Sequence, residues 1–192
     1  MQETAEQVHG PYILAMSKTV SGYAKVASGE KEEGLELLRA AAAWLESTQI
    51  GLTLSWNESC LAEALALCSR ADEAKDHARR SLERAEARDL LGEVAAYRAL
   101  GLAEACGRGT WSSAEAFFES ALRAADRKGS ARDAAVTRLR AATVAVRFGE
   151  LESASRWIEG VAAQFAEMKM TSYLVEARAV AAPLAAIASS QN

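Results

Sequence analysis

Four short segments recur at equal spacing along the 192-residue chain, and they decide the fold. They read Gly29-Glu-Lys-Glu-Glu-Gly34-Leu-Glu-Leu-Leu38, Ser69-Arg-Ala-Asp-Glu-Ala74-Lys-Asp-His-Ala78, Thr110-Trp-Ser-Ser-Ala114-Glu-Ala-Phe-Phe118 and Gly149-Glu-Leu-Glu-Ser-Ala154-Ser-Arg-Trp-Ile158. Each has a small residue near the start of a predicted second helix, at positions 34, 74, 114 and 154, so the interval is 40 residues each time. Small residues let paired helices approach closely. Three equal intervals indicate a repeated helical hairpin.

The composition predicts helices throughout. The chain contains 43 Ala and 20 Leu but only 10 Val, 4 Ile and 8 Thr, so good helix formers outnumber β-branched residues. Its two prolines, Pro11 and Pro183, leave long stretches without a helix breaker. We therefore predict an all-α fold, with helices at about 12–28, 31–49, 53–68, 71–88, 91–106, 112–128, 131–148, 151–168 and 171–188.

These helices predict one domain. Residues 1–11 are predicted to form an N-terminal tail, and residues 12–192 a single repeat domain. Within it we predict four hairpins and a capping helix, at about 12–49, 53–88, 91–128, 131–168 and 171–188. Pro183 is expected to kink or end the capping helix.

Local residues mark several helix ends. Gly29, Gly107 and Gly149 stand where first helices must stop, a position that favours positive φ. Ser112 with Glu115 is predicted to cap a second helix, and Ser130 with Asp133 to cap the first helix of the fourth hairpin.

The small residues also follow a known pattern. Gly22, Ala62, Gly101 and Ala142 occupy corresponding sites in the first helices, and Ala114, Phe118 and Ala121-Leu122 give small, bulky and small-Leu positions in a second helix. This arrangement resembles the tetratricopeptide repeat in a longer-helix form, although the family's terminal proline is absent. The resemblance implies a right-handed superhelix whose first helices build a concave surface.

A narrower resemblance rests on the order of the helices. The segments 33–44, 61–68, 95–101, 162–165 and 174–178 are similar to the C-terminal repeat region of large bacterial signalling ATPases, often fused to class III adenylate or guanylate cyclase domains. This resemblance implies a regulatory module of a larger cytosolic signalling protein.

The family's groove positions identify a candidate partner site. Carried over to this chain, they are Met16, Thr19, Tyr23, Trp56, Ser59, Glu63, Arg98, Leu102, Val136, Leu139, Thr143 and Arg147. The set is largely apolar with a few polar groups, which suits a peptide partner anchored by Tyr, Trp and Arg side chains. As anchors outside the core, Trp56 and Arg98 should tolerate alanine without loss of melting temperature while partner binding weakens.

The four tryptophans divide into two groups. Trp44, Trp111 and Trp157 lie on or beside second helices and are predicted to pack in the core between repeats. Trp56 falls on the groove side of a first helix, so ligand contact and packing both remain open for it.

Other residue types restrict the chemistry. The net charge of −4 comes from interspersed acids and bases, so we expect no binding to nucleic acid or to a membrane. Three unpaired-looking cysteines and a polar N-terminus without an export signal favour a cytoplasmic protein with reduced thiols. No phosphate-loop, metalloprotease or nucleophile-elbow motif occurs. His9 and His77 are predicted to be solvated, and we expect no metal and no cofactor.

Two classes of function stay open. The preferred one is a non-catalytic interaction and regulatory module that binds a protein or peptide in its groove. The alternative is a self-association scaffold, and an enzyme comes a distant third.

The first helix places Ile13 and Leu14 on an unpartnered face, so we expect a C-terminal piece of a longer protein that forms a homodimer through this helix.

Overall fold

The chain is all-helical in the computed structural model, which describes residues 2–48, 53–86 and 91–190 and has no strand there. The helices of this part are α1 (Gln2–Ser28), α2 (Lys31–Ser47), α3 (Leu54–Leu67), α4 (Ala71–Glu86), α5 (Glu93–Cys106), α6 (Trp111–Lys128), α7 (Ala131–Phe148), α8 (Leu151–Ile158), α9 (Val161–Glu167) and α10 (Thr171–Ser190). None of them is long and apolar enough to cross a membrane. The predicted all-α class is confirmed.

Most predicted helix bounds agree with the structure to within two residues, from α2 through α7. The predicted hairpin ends at 49 and 88 lie outside the described residues. The main difference is α1, because residues 2–11, predicted as a tail, are helical. Pro11 suggested a helix start, but the Ala, Glu and Gln residues before it are themselves helix formers.

The predicted helix at 151–168 is two helices. Gly160 adopts a left-handed φ of +72° between α8 and α9, which breaks the backbone hydrogen-bond ladder there. At the other end of the chain, α10 spans Thr171–Ser190, close to the predicted 171–188, and Pro183 lies inside it, so of the two predicted effects of this proline the helix end is wrong.

The predicted caps are partly confirmed. Gly29 and Gly149 have φ values of +103° and +78°, as a left-handed helix end requires, whereas Gly107 has −104° and does not. The Ser130 hydroxyl accepts a hydrogen bond from the Asp133 amide at 3.2 Å, which confirms this cap. The cap of α6 is Thr110, which accepts from Ser113, so the predicted Ser112 cap is wrong.

The helices pack in consecutive pairs. The most extensive contacts join α1 to α2, α3 to α4 and α5 to α6, whose partners lie on either side of short connections. Each first helix also contacts the next, from α1 to α3, α3 to α5 and α5 to α7. The helix α10 closes the order by packing on α7, α8 and α9.

Small residues sit where helices approach. Gly34, Ala74, Ala114 and Ala154 are all buried. A Cβ added to Gly34 would lie 2.6 Å from the carbonyl oxygen of Gly22, and one added to Gly22 would lie 2.7 Å from that of Gly34. The backbones of α1 and α2 therefore meet directly, and neither position has room for a side chain.

Enlarging the buried alanines should destabilise the fold. We expect Ala114→Leu and Ala154→Leu each to lower the free energy of unfolding by about 1–3 kcal/mol, because neither helix can move away without losing its packing. Urea denaturation followed by circular dichroism measures the change. Ala116→Leu, at an exposed position of the same helix, is the matched control and should stay within about 0.5 kcal/mol of the parent. Equal stability of all variants would contradict the repeat register.

Candidate functional site

A cavity of about 230 Å³ lies between the first helices. Helix α1 contributes Thr19, Val20 and Tyr23, while α3 contributes Trp56, Cys60 and Glu63. The remaining wall is formed by Leu91, Val94, Ala95, Arg98, Lys128, Arg132, Asp133, Val136 and Tyr173. Because Tyr23 belongs to α1 and Tyr173 to α10, both ends of the helix series reach the same cavity.

A buried ion pair forms one wall of the cavity. Arg98 Nε donates to Glu63 Oε1 at 2.9 Å, and Arg98 Nη2 donates to Glu63 Oε2 at 2.7 Å. Glu63 is only 1% exposed and Arg98 6%. The Tyr23 side chain also interacts with the Glu63 carboxylate and contributes to lowering the pKa of Glu63. The third guanidinium nitrogen, Nη1 of Arg98, is buried and has no hydrogen-bond partner among the described residues.

The pair holds both partners in their charged forms. Burial by itself would raise the pKa of Glu63, but the charge and hydrogen bonds of Arg98 bring that pKa below its usual value. Burial would likewise lower the pKa of Arg98, and the Glu63 carboxylate raises it instead. The pKa of Tyr23 is raised well above 10.0, first by burial and then by the Glu63 charge, so this hydroxyl stays neutral.

Three charged side chains beside the α6–α7 connection form another part of the wall: Lys128 is the last residue of α6, and Arg132 and Asp133 lie in the first turn of α7. Lys128 Nζ lies 3.3 Å from Asp133 Oδ2, and Arg132 Nη1 lies 3.7 Å from Asp133 Oδ1. Burial would raise the pKa of Asp133, but the Ser130 hydroxyl and the charges of Arg98 and Lys128 hold it below its usual value. Both cations are exposed and share this single carboxylate.

Aromatic rings complete the wall. Tyr23, Trp56 and Tyr173 are half-buried, one each from α1, α3 and α10. Tyr173 stacks on Phe165 with ring centroids 5.3 Å apart. The guanidinium of Arg140 lies 5.9 Å from the centroid of the Tyr173 ring, a cation–π contact. Contacts with Phe165 and Arg140 therefore hold the Tyr173 ring in place.

The structure brings half of the predicted groove residues together. Those that line the cavity are Thr19, Tyr23, Trp56, Glu63, Arg98 and Val136. Those that do not are Met16, Ser59, Leu102, Leu139, Thr143 and Arg147. Met16 packs instead against a small cluster that contains Ala15, Leu45 and Leu54.

The other residues outside the cavity have structural surroundings. Leu102 and Leu139 belong to the main hydrophobic core. The buried Ser59 hydroxyl donates to the backbone carbonyl of Trp56 at 2.8 Å, and the Thr143 hydroxyl donates to that of Leu139 at 2.9 Å. Arg147 is exposed on α7.

Five polar or aromatic residues of the cavity wall were not predicted from the sequence. These are Cys60, Lys128, Arg132, Asp133 and Tyr173. The capping pattern at Ser130 and Asp133 identified the α6–α7 connection but gave no sign that it faces the cavity. Tyr173 lies near the start of the predicted capping helix, and nothing in that part of the sequence indicated contact with a ligand.

The tryptophan predictions agree with the structure. Trp157 is buried, and its Nε1 donates to Glu115 Oε1 at 3.1 Å. Trp44 and Trp111 are half-buried and pack against hydrophobic clusters. Trp56, for which packing and ligand contact remained open, lies in the cavity wall.

A second polar cluster joins α3 to α4 through His77. Its Nδ1 lies 2.5 Å from Oε2 of the fully buried Glu58, and Arg80 Nε lies 3.6 Å from the same oxygen. The prediction of a solvated surface position is therefore wrong for His77, because this helix turns the residue inward. The side chain of His9 lies outside the described part of the structure.

Cys60 should be a slow nucleophile. Burial raises the pKa of its thiol from 9.0 to about 12, with Glu63 adding to the effect. The thiolate fraction at neutral pH is therefore far lower than for a thiol of ordinary pKa, so we expect alkylation of Cys60 to be slower in the folded chain than in the unfolded one. Peptide mapping after iodoacetamide treatment, with the urea-unfolded chain as control, measures it. Equal rates in the folded and unfolded chain would contradict this description of the wall.

The chemistry of the cavity favours binding over proton transfer. The pKa values of Glu63 and Asp133 are lowered, and those of Tyr23, Cys60 and Arg98 are raised, so all five move away from neutral pH. A general acid or base works best with a pKa near the operating pH. The wall combines fixed charges with apolar and aromatic surface, which is typical of a recognition site.

No protein-family model and no curated protein matches the chain.

Proposed function

We propose that the chain is a non-catalytic binding module built as a tetratricopeptide-like superhelix. The order of helix contacts supports this architecture, because each hairpin packs on the next through its first helix. Burial of the four small residues spaced by 40 supports it as well. Its place in a larger cytosolic signalling protein stays a prediction from the resemblance.

In this proposal the ligand is a protein or peptide that enters the concave side of the superhelix. The cavity carries the proposal, since it lies where α1, α3, α5 and α7 converge and offers aromatic surface beside fixed charges. Aromatic and arginine side chains in concave sites commonly supply most of the binding energy. Trp56 is the natural anchor, because its half-buried ring lies in the cavity wall.

Peptide selection tests the proposal. A phage-displayed random peptide library is panned on the full chain, and enriched sequences are remade as blocked synthetic peptides for isothermal titration calorimetry. We expect Trp56→Ala to weaken binding by at least about tenfold with an unchanged melting temperature. Arg147→Ala is the matched control, because this predicted groove residue lies outside the cavity. Failure to select peptides, or equal affinity of Trp56→Ala, would contradict the proposal.

The second candidate function, a self-association scaffold, has its own observation. Ile13, Leu14 and Val20 are more than half exposed on α1, which leaves three large apolar side chains without cover. Burial of such a patch against a second copy is favourable. Light scattering should give a dimer for the parent and a monomer for Ile13→Glu/Leu14→Lys, with Val175→Glu on α10 as the control for an exposed apolar residue elsewhere. A monomeric parent at high concentration would exclude the scaffold.

A further inference from the structure

One hydrogen-bond donor of Arg98 has no partner among the residues that the structure describes, and this indicates which class of ligand the cavity binds. Arg98 lines the cavity with two of its nitrogens committed to Glu63, while Nη1 is buried without a partner in the described part of the chain. Buried N–H groups are almost always paired, and a charged donor favours an anionic acceptor. The guanidinium in the cavity wall is thus a positive charge with one donor unpaired within the described ranges, which favours an anion as the ligand.

The charges of the wall agree with this assignment. Its cations are Arg98, Lys128 and Arg132, and its carboxylates are Glu63 and Asp133, so the charged groups of the described wall leave one positive charge. Both carboxylate oxygens of Glu63 accept hydrogen bonds from Arg98, and Asp133 is shared between Lys128 and Arg132. A single added anion would balance the site, whereas a cation would raise the imbalance.

The remaining wall sets the shape of the ligand. Tyr23, Trp56 and Tyr173 offer ring surface, and Val94 and Val136 are buried beside them. At about 230 Å³ the space is below the roughly 300–1,000 Å³ of drug-sized pockets, so it suits a body of about ten non-hydrogen atoms. An extended peptide backbone is too large to be enclosed, although one of its side chains is not.

We propose that the cavity binds one carboxylate carried on a small aromatic or branched apolar body, with Arg98, Lys128 and Arg132 supplying the positive charge that recognises it. This inference rests on the proposed binding function and names its ligand chemistry. A free organic acid and an aspartate or glutamate side chain of a bound peptide both present that chemistry. The experiment therefore separates the two sources.

The ligand test uses charged and neutral pairs on the full chain. Phenylacetate is compared with phenylacetamide, and acetyl-Ala-Glu-Ala-amide with its Gln counterpart, by calorimetry at low ionic strength. We expect phenylacetate to bind at least about tenfold more tightly than the amide, because a charge-assisted hydrogen bond replaces a neutral one. Preference for the Glu peptide alone would support the carboxylate and assign it to a peptide side chain. Equal binding within each pair, or no binding by either carboxylate, would overturn the proposal.

Variants locate the binding in the cavity. Lys128→Gln/Arg132→Gln changes two exposed side chains and should fold normally while carboxylate affinity falls by about tenfold. Arg98→Lys keeps a charge beside Glu63 but removes the planar third donor, so it should also weaken carboxylate binding. Arg147→Gln, an exposed cation outside the cavity, is the control and should bind like the parent. Full affinity in Lys128→Gln/Arg132→Gln would overturn the assignment of the site even if Arg98→Lys fails to fold.

The two proposals fail in different ways. If library peptides without acidic residues bind and require Trp56, the binding function stands and the carboxylate proposal falls. If phenylacetate binds through Lys128 and Arg132 while no peptide is selected, the carboxylate proposal stands and the peptide partner falls. Absence of every one of these signals would reject both.

Discussion

Replacing Arg98 with alanine is expected to lower the free energy of unfolding by about 3–5 kcal/mol, because it leaves the Glu63 carboxylate buried without its counter-ion. The sequence predicts the opposite, since it treats Arg98 as a groove anchor outside the core. The structure gives the reason for the change: Arg98 is 6% exposed and holds Glu63 with two of its nitrogens. Urea denaturation at neutral pH measures the loss.

Two further variants separate the ion pair from simple truncation. Glu63→Gln/Arg98→Gln removes both charges while keeping similar volumes, so it should be less destabilised than Arg98→Ala. Arg147→Ala removes an exposed arginine and should stay within about 0.5 kcal/mol of the parent. If Arg98→Ala unfolds like Arg147→Ala, the buried ion pair does not exist in solution.

Acid pH gives an independent signature of the same pair. In the parent, the pKa of Glu63 is lowered by folding, so its stabilising contribution is present above the unfolded pKa and is lost as pH falls through the folded pKa. Without Arg98, only the weaker effects of Arg140 and Tyr23 oppose burial, so the pKa of Glu63 should be higher in the variant than in the parent. The stability difference between parent and variant should therefore shrink between about pH 7 and about pH 4. A difference that is constant with pH would contradict the electrostatic explanation.

Local chemistry explains why so much of the fold could be predicted. Helix formers and the 40-residue step identify the helices from α2 to α7, and the step also places the small residues where backbones meet, as at Gly34. The errors occur where one local signal competes with another. Pro11 was a plausible helix start inside a continuing helix, and Gly160 was a tolerable helix residue that adopts positive φ instead.

The site was harder to predict because it depends on distant elements. The repeat register identifies which side of each first helix faces inward, and it correctly brings Thr19, Trp56 and Glu63 to one cavity. It contains no information on how closely the α6–α7 connection and α10 approach that face. Asp133 and Tyr173 were missed for this reason. Glu63 and Arg98 were both predicted, but their pairing requires the relative offset of α3 and α5, which periodicity alone does not fix.

One large side chain, Phe118, takes part in the packing both within a hairpin and between hairpins. The Phe118 ring is fully buried, and a Cβ added to Gly101 would lie 2.8 Å from it. The same ring makes an edge-on contact with Trp157, at 6.4 Å between centroids. Phe118 on α6 thus fills the space left by a glycine on α5 and touches α8 of the following hairpin.

Phe118→Ala is therefore expected to lower the free energy of unfolding by about 3–5 kcal/mol, since it removes a buried ring and opens a cavity that a glycine cannot fill. Phe117→Ala is the matched control, because the neighbouring ring is half-buried and its removal should cost only about 1 kcal/mol. Denaturant unfolding of the two variants gives the comparison. Similar losses would mean that α6 is not held at this register, because a helix rotated by one residue would exchange the surroundings of the two rings. A large loss of stability confined to Phe118→Ala would support a contact between successive hairpins at Phe118, the bulky position that the repeat predicts.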